Sequence, residues 1–136
     1  MIIVDASLMT AWLLNESALT TSFDVNEILS DSRVSVPSHW PIEISNALRT
    51  NLMGGRLGPV DFHAIVERLD LINVRVEPSI ELDEIISLAQ FAAAHDLTTY
   101  DAAYIQLALS RRCALATLDN AMRRVATRLG VNLLPV

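Results

Sequence analysis

Lysine is absent from this sequence, so all ten basic residues are arginine, and against sixteen acids they leave a formal charge of −6. A protein that grips nucleic acid by bulk charge is usually basic; this balance argues against broad electrostatic binding and leaves room for a local cluster of acids. Cysteine occurs once, at Cys113, which rules out an internal disulfide and fits a reducing cytoplasm. Its setting, Arg112-Cys113-Ala114-Leu115, reads as the entrance to a strand and favours core filling over catalysis. No apolar run reaches the ~18 residues of a membrane span, because Asp5, Asn15 and Glu16 interrupt the richest region. Nor is there a basic stretch leading into an apolar one, so no signal peptide is expected. The three histidines, His39, His63 and His95, stand far apart in no zinc-binding pattern and are expected at the surface or beside a site.

What is abundant is aliphatic. Half the residues, 51%, are apolar, and the mean hydropathy of +0.36 is high for a soluble chain. This predicts a generous core together with an apolar face for a partner. At 136 residues, 1–136 is expected to form a single domain.

The pattern alternates strands with helices. Ile2-Ile3-Val4 has no polar alternation and predicts a strand covered on both faces, ending at Asp5. Helices are predicted from Ser7 to about Leu14, from about Ala18 to Ser30, and from near Ser38 to Met53, where Gly54-Gly55 stops the third. Pro41 is tolerated there only in a first turn. In that helix Trp40, Ile44, Ala47, Leu48 and Leu52 form the expected buried stripe. Further helices are predicted at about Pro59 to Leu71, Glu81 to His95, Asp101 to Arg112 and Asp119 to Leu129, the last closed by Gly130. Val34-Ser35-Val36, Asn73 to Val76, Ala114 to Thr117 and Val131 to Leu134 complete five strands. The order predicts a three-layer α/β/α sandwich with a central, mainly parallel sheet.

Four acids fall at corresponding places. Asp5 and Asp119 follow strands directly, while Glu43 and Asp101 lie at helix starts. In open α/β sheets ligands bind at the carboxyl edge of the strands. One such acid alone reads as an ordinary N-cap; four on one edge require a cation or protonation to relieve their repulsion. Ser7 and Thr117 place hydroxyls two residues from Asp5 and Asp119, either as helix caps or to orient the carboxylates, and Asn46 shares a helix face with Glu43. Arg111, Arg112, Arg123, Arg124 and Arg128 crowd the last quarter. They read either as solvated surface, with Arg111, Arg112 and Arg128 complementing helix C-termini, or as a phosphate-binding rim. Tyr100 either packs beside Asp101 or stacks on a base, and Trp12 and Trp40 read as core or partner-facing anchors.

Taken in order, Asp5-x-Ser7, Glu43-x-x-Asn46, Tyr100-Asp101-Ala102-Ala103-Tyr104 and Ala116-Thr117-Leu118-Asp119 resemble the PIN-domain family, and most closely its VapC ribonuclease toxins. Each motif is weak alone; the ordered set spans the chain. The resemblance implies Asp5, Glu43, Asp101 and Asp119 around Mg²⁺ or Mn²⁺, with Ser7, Asn46 and Thr117 in support. It implies single-strand RNA cleavage by a metal-activated water, leaving 5′-phosphate and 3′-hydroxyl ends. It further implies a cytoplasmic homodimer neutralised by a VapB-like antitoxin in a hetero-oligomer. Without lysine, RNA contacts fall to arginines, with Arg111, Arg112, Arg123 and Arg124 as candidates, and to backbone amides. Met9, Trp12, Leu13, Leu52 and Met53 are the candidates for an antitoxin groove. Two rivals stand beside this reading. One is a noncatalytic scaffold or RNA-binding subunit of the same fold. The other is an aspartyl-nucleophile phosphatase, disfavoured because Ser7 stands where a second Asp is wanted and lysine is missing.

Overall fold

In a computed structural model of the chain, residues 1–14 and 25–135 are described. Among them, five parallel strands form one sheet in the order β3-β2-β1-β4-β5. The strands are β1 (Ile2–Val4), β2 (Arg33–Val36), β3 (Asn73–Val76), β4 (Ala114–Ala116) and β5 (Leu133–Leu134). Seven helices accompany them: α1 (Ala6–Leu13), α2 (Val25–Asp31), α3 (Trp40–Met53), α4 (Pro59–Leu71), α5 (Ile85–Ala94), α6 (Thr99–Arg111) and α7 (Asn120–Arg128). The fold is thus the three-layer α/β/α sandwich.

The unbroken aliphatic run of β1 takes the centre of the sheet, where both faces are covered: Ile2, Ile3 and Val4 are all buried. Its register is Ile2 opposite Val34 on one side and Ala114 on the other. From β1 the chain builds outward to β2 and β3, then returns across the sheet to β4 and β5. Right-handed crossovers therefore put α1 to α4 on one face and α5 to α7 on the other. Packing agrees, with α1 against α3 and α4, and α6 against α5 and α7. The direction reverses between β1 and β4, so the topological switch point opens at their carboxyl ends. Asp5 follows one of these strands and Asp119 comes shortly after the other, each as the N-cap of the next helix.

Most predicted boundaries fall within two residues of those observed, and the differences have local causes. The fifth helix opens as a single 3-10 turn at Leu82–Glu84, where the Glu84 carboxylate accepts from the Glu81 N–H at 3.0 Å. The sixth begins before Asp101 because the Thr98 hydroxyl accepts from the Asp101 N–H at 3.2 Å and is the true cap. Most of the helix expected at Ala18 to Ser30 lies outside the described residues; its end is α2. Gly130, at φ 77°, closes α7 as expected.

The expected antitoxin groove needs correction. Met9, Trp12 and Leu13 are core residues, because α1 is apolar nearly all round and lies against α3 and α4. Trp12 is fastened there by its Nε1–H, which donates to Asn26 Oδ1 at 2.7 Å. Burying each such side chain contributes about 1.5–3 kcal/mol, which is unavailable to a partner. Only Leu52 and Met53 of that group are exposed, and Leu52 thereby leaves the buried stripe of α3. Among the described residues no helix is long and apolar enough to cross a membrane.

Candidate active site

Asp5 sits where β1 passes into α1, and the sheet places it: its N–H donates to Ala116 O of β4 at 3.0 Å. Its side chain is buried and saturated with donors. Oδ1 accepts from the Leu8 N–H at 3.0 Å and from Ser7 Oγ at 2.8 Å. Oδ2 accepts from Thr117 Oγ1 at 2.5 Å, with Ser7 Oγ at 2.9 Å. Burial nevertheless dominates and lifts its pKa from 3.8 to about 6, against the lowering by these donors; the Asp119 charge adds to the rise. The proximity of Ser7 to Asp5, legible in the spacing, is thus realised as a direct hydrogen bond, whereas the bond from Thr117 to Asp5 joins residues distant in the chain.

Thr117 links two acids. While its hydroxyl donates to Asp5, the same oxygen accepts from the Asp119 N–H at 3.0 Å. The Asp119 carboxylate caps α7, accepting from the Met122 N–H at 2.8 Å through Oδ1. Asp101, half-buried in the first turn of α6, is raised by burial and then by the charges of Asp119 and Glu43. Glu43, in the first turn of α3, behaves oppositely. Burial works to raise it, but hydrogen bonds from His39 and Tyr104 outweigh that and hold it below the ordinary carboxylate range.

These couplings run Asp5 to Asp119, Asp119 to Asp101, and Asp101 to Glu43. All four predicted acids therefore lie along one edge, spanning the switch point. The donor set suits a hard divalent cation, being carboxylate and hydroxyl oxygen without thiolate. Among the described residues no three acids, histidines or cysteines stand close enough to enclose an ion unaided. Mg²⁺ keeps several of its waters and needs only one or two direct carboxylates, so acids arranged as a chain of pairs fit it better than a closed protein cage.

His39 and Tyr104 carry more than the sequence suggested. His39 Nε2 lies 3.0 Å from Glu43 Oε1, and Tyr104 Oη donates to the same oxygen at 2.8 Å. The i, i+4 spacing of His39 and Glu43 was the available signal for that pair; the Tyr104 bond joins residues distant in the chain and left none. Asn46 is exposed, one turn on from Glu43, and its backbone carbonyl accepts from Thr50. Tyr100 is 61% exposed and touches His39 edge-on.

The arginines divide. Arg111 Nη2 donates to Glu77 Oε1 at 2.9 Å, and Arg112 is the left-handed C-cap of α6. Arg123 donates to Thr117 O at 2.9 Å and to Pro135 O at 2.6 Å, tying the end of the described chain to the loop that carries Asp119. Arg124 is exposed, and with Arg123 and Arg128 it lines a shallow groove along α7. Cys113 is half-buried, and burial raises its thiol pKa, as expected of core filler.

The family profile for the PIN domain matches residues 2–128, and the chain belongs to the PIN-domain family. VapC ribonuclease Mb0985 of Mycobacterium bovis and Ribonuclease VapC9 of Mycobacterium tuberculosis are similar to it. Each is 32% identical over 119 residues, covering 88% of this chain and 86% of the relative. The crystal structure of PAE2754 from Pyrobaculum aerophilum shares the fold with a TM-score of 0.63 over 95% of this chain and 88% of that one, at 22% identity.

Proposed function

We propose that this single-domain chain is a Mg²⁺- or Mn²⁺-dependent endoribonuclease toxin of the VapC type, held inactive by a cognate VapB-like antitoxin and acting in the cytoplasm as a homodimer. The observation that carries the reading is the run of four carboxylates along the carboxyl edge of the sheet, across the switch point, in a chain related to proteins named VapC ribonucleases.

The roles assigned are Asp5, Glu43, Asp101 and Asp119 as the acids that hold the cation, directly or through water. Bound there, a divalent cation lowers the pKa of a water and offsets charge developing on the phosphoryl oxygens. Ser7 and Thr117 hold both Asp5 oxygens in place, so this buried acid cannot turn away. Asp119, fixed by its cap bond at Oδ1, and Asp101, exposed to the charges of both neighbours, supply the negative field that draws the cation in. Asn46 supports from the adjacent helix turn. Arg124, exposed on α7, is the arginine assigned to RNA phosphates; Arg112 caps the end of α6 opposite Asp101, and Arg111 and Arg123 are held by Glu77 and by backbone carbonyls.

The test is incubation of the antitoxin-free protein with total cellular RNA in Mg²⁺, Mn²⁺ or EDTA, beside Asp5→Asn and Asp101→Asn. The expected result is discrete, metal-dependent cuts with 5′-phosphate and 3′-hydroxyl ends, lost in both variants. Cleavage surviving both substitutions refutes the acidic site. A folded protein that binds no Mn²⁺ and cuts nothing is a scaffold.

A further inference from the structure

Glu43 and Asp101 sit on different helices, α3 and α6, and the charge of Glu43 disfavours the ionisation of Asp101. Something must hold these helix starts together against that repulsion. Two side chains bridge them. His39, immediately before α3, places Nε2 3.0 Å from Glu43 Oε1 and 3.1 Å from Tyr100 O, the residue preceding Asp101. Both neighbours of Nε2 are acceptors, so Nε2 carries the proton and serves both. Tyr104, one turn further along α6, is 1% exposed and reaches Glu43 Oε1 at 2.8 Å. The Ala6 N–H, next to Asp5, interacts with the same phenol oxygen. The rings of His39 and Tyr104 meet edge to face, with centroids 5.2 Å apart.

Both donors converge on Oε1, and no hydrogen bond from the described residues reaches Oε2. A glutamate on an exposed helix turn has three side-chain torsions to explore; here one oxygen is pinned from two directions and the other is left open. We propose that His39 and Tyr104 are positioning residues for Glu43, stapling α3 to α6 through Oε1 so that Oε2 is the oxygen Glu43 offers to a divalent cation or to its bound water. This rests on the metal-dependent reading of the site.

The test is Mn²⁺ affinity of the free protein, read by electron paramagnetic resonance without RNA, for wild type, Tyr104→Phe, His39→Leu, His39→Gln, Glu43→Gln and the Glu43→Gln/Tyr104→Phe pair, with thermal unfolding of each alongside. Groups that orient a metal ligand typically contribute 10–100-fold to affinity. Tyr104→Phe and His39→Leu are each expected to weaken Mn²⁺ binding about 10-fold. His39→Gln, whose amide N–H reaches the place of Nε2–H, is expected to restore most of it. In the Glu43→Gln background, Tyr104→Phe is expected to change nothing further, since the residue it positions is already altered. Variants that melt earlier but bind Mn²⁺ like wild type overturn the proposal and leave a purely structural staple. A Tyr104→Phe loss that persists undiminished in the Glu43→Gln background also overturns it, by showing that Tyr104 acts through another group. Absence of Mn²⁺ binding in wild type sinks the metal-dependent reading itself and this inference with it.

Discussion

Asp5 makes the site costly to keep folded in the absence of a cation, and the cost is measurable. Its pKa is raised from 3.8 to about 6, chiefly by burial. At 1.36 kcal/mol per pH unit, that difference amounts to about 3 kcal/mol between the protonated and ionised forms. Because the folded-state value lies above the unfolded one, the folded protein holds the proton more tightly. Below about pH 4 both states are protonated and nothing is lost. As pH rises from 4 to 6 the unfolded chain ionises first, and stability falls by about 3 kcal/mol, a loss complete above pH 6. Asp5→Asn keeps an acceptor for the Leu8 N–H but has no proton to lose. The gap in unfolding free energy between variant and wild type, followed by urea denaturation without divalent metal, is therefore expected to widen in favour of Asn by about 3 kcal/mol between pH 4 and 6.5. Near neutrality this corresponds to roughly 10 °C in melting temperature. Saturating Mg²⁺ is expected to close much of the gap by stabilising wild type alone, about 2.7 kcal/mol at one hundred times Kd. A gap that stays constant across this pH range refutes the reasoning. It would mean that the donors from Ser7, Leu8 and Thr117 offset the burial of the charge.

Other perturbations follow from the same geometry. Thr117→Val removes the donor to Asp5 and the acceptor for the Asp119 N–H; it is expected to cost about 1–3 kcal/mol by denaturant unfolding and to weaken Mn²⁺ binding about 10-fold. Asp119→Asn keeps the cap bond to Met122 but loses its charge, so cleavage of RNA should fall at least about 100-fold while melting temperature changes little. Arg123→Ala loses its hydrogen bonds to backbone carbonyls and should destabilise by about 2 kcal/mol. Arg124→Ala should leave stability within about 0.5 kcal/mol and instead weaken RNA binding, lowering the salt slope by about 1.

Much of this was readable from the sequence because period and punctuation agreed. The β1 run, the Gly54-Gly55 and Gly130 stops and the four acids beside strand ends or in first turns each carry a local signal, and the sheet converts those local positions into one edge. What was not legible depends on contacts distant in the chain. Met9, Trp12 and Leu13 read equally well as groove or core until α3 and α4 are seen against α1. Tyr104 reaches Glu43 across 61 residues, and Arg123 reaches Pro135 across a turn and a strand. No periodicity encodes such pairs. The start of α6 was misplaced because Asp101 and Thr98 are both good caps, and only the bond made decides between them.

The acids differ in how they are held, and that difference orders their contributions. Asp5 is buried with both oxygens taken by protein donors, so it is fixed in place and contributes charge at a set position. Glu43 and Asp119 each accept protein hydrogen bonds through one oxygen only, Oε1 and Oδ1. On the proposed reading each offers its other oxygen to a cation or its waters, while Asp5 anchors the field they share. Mg²⁺ sheds water reluctantly and demands near-octahedral geometry. A site with one immobile carboxylate and several with a free oxygen meets that demand without a rigid cage. It follows that removing the Asp5 charge should reduce cation affinity more than neutralising any one of the others. Parallel Mn²⁺ titrations of Asp5→Asn, Glu43→Gln, Asp101→Asn and Asp119→Asn would show equal losses if the four acids were interchangeable, and a loss largest at Asp5 if burial sets their rank.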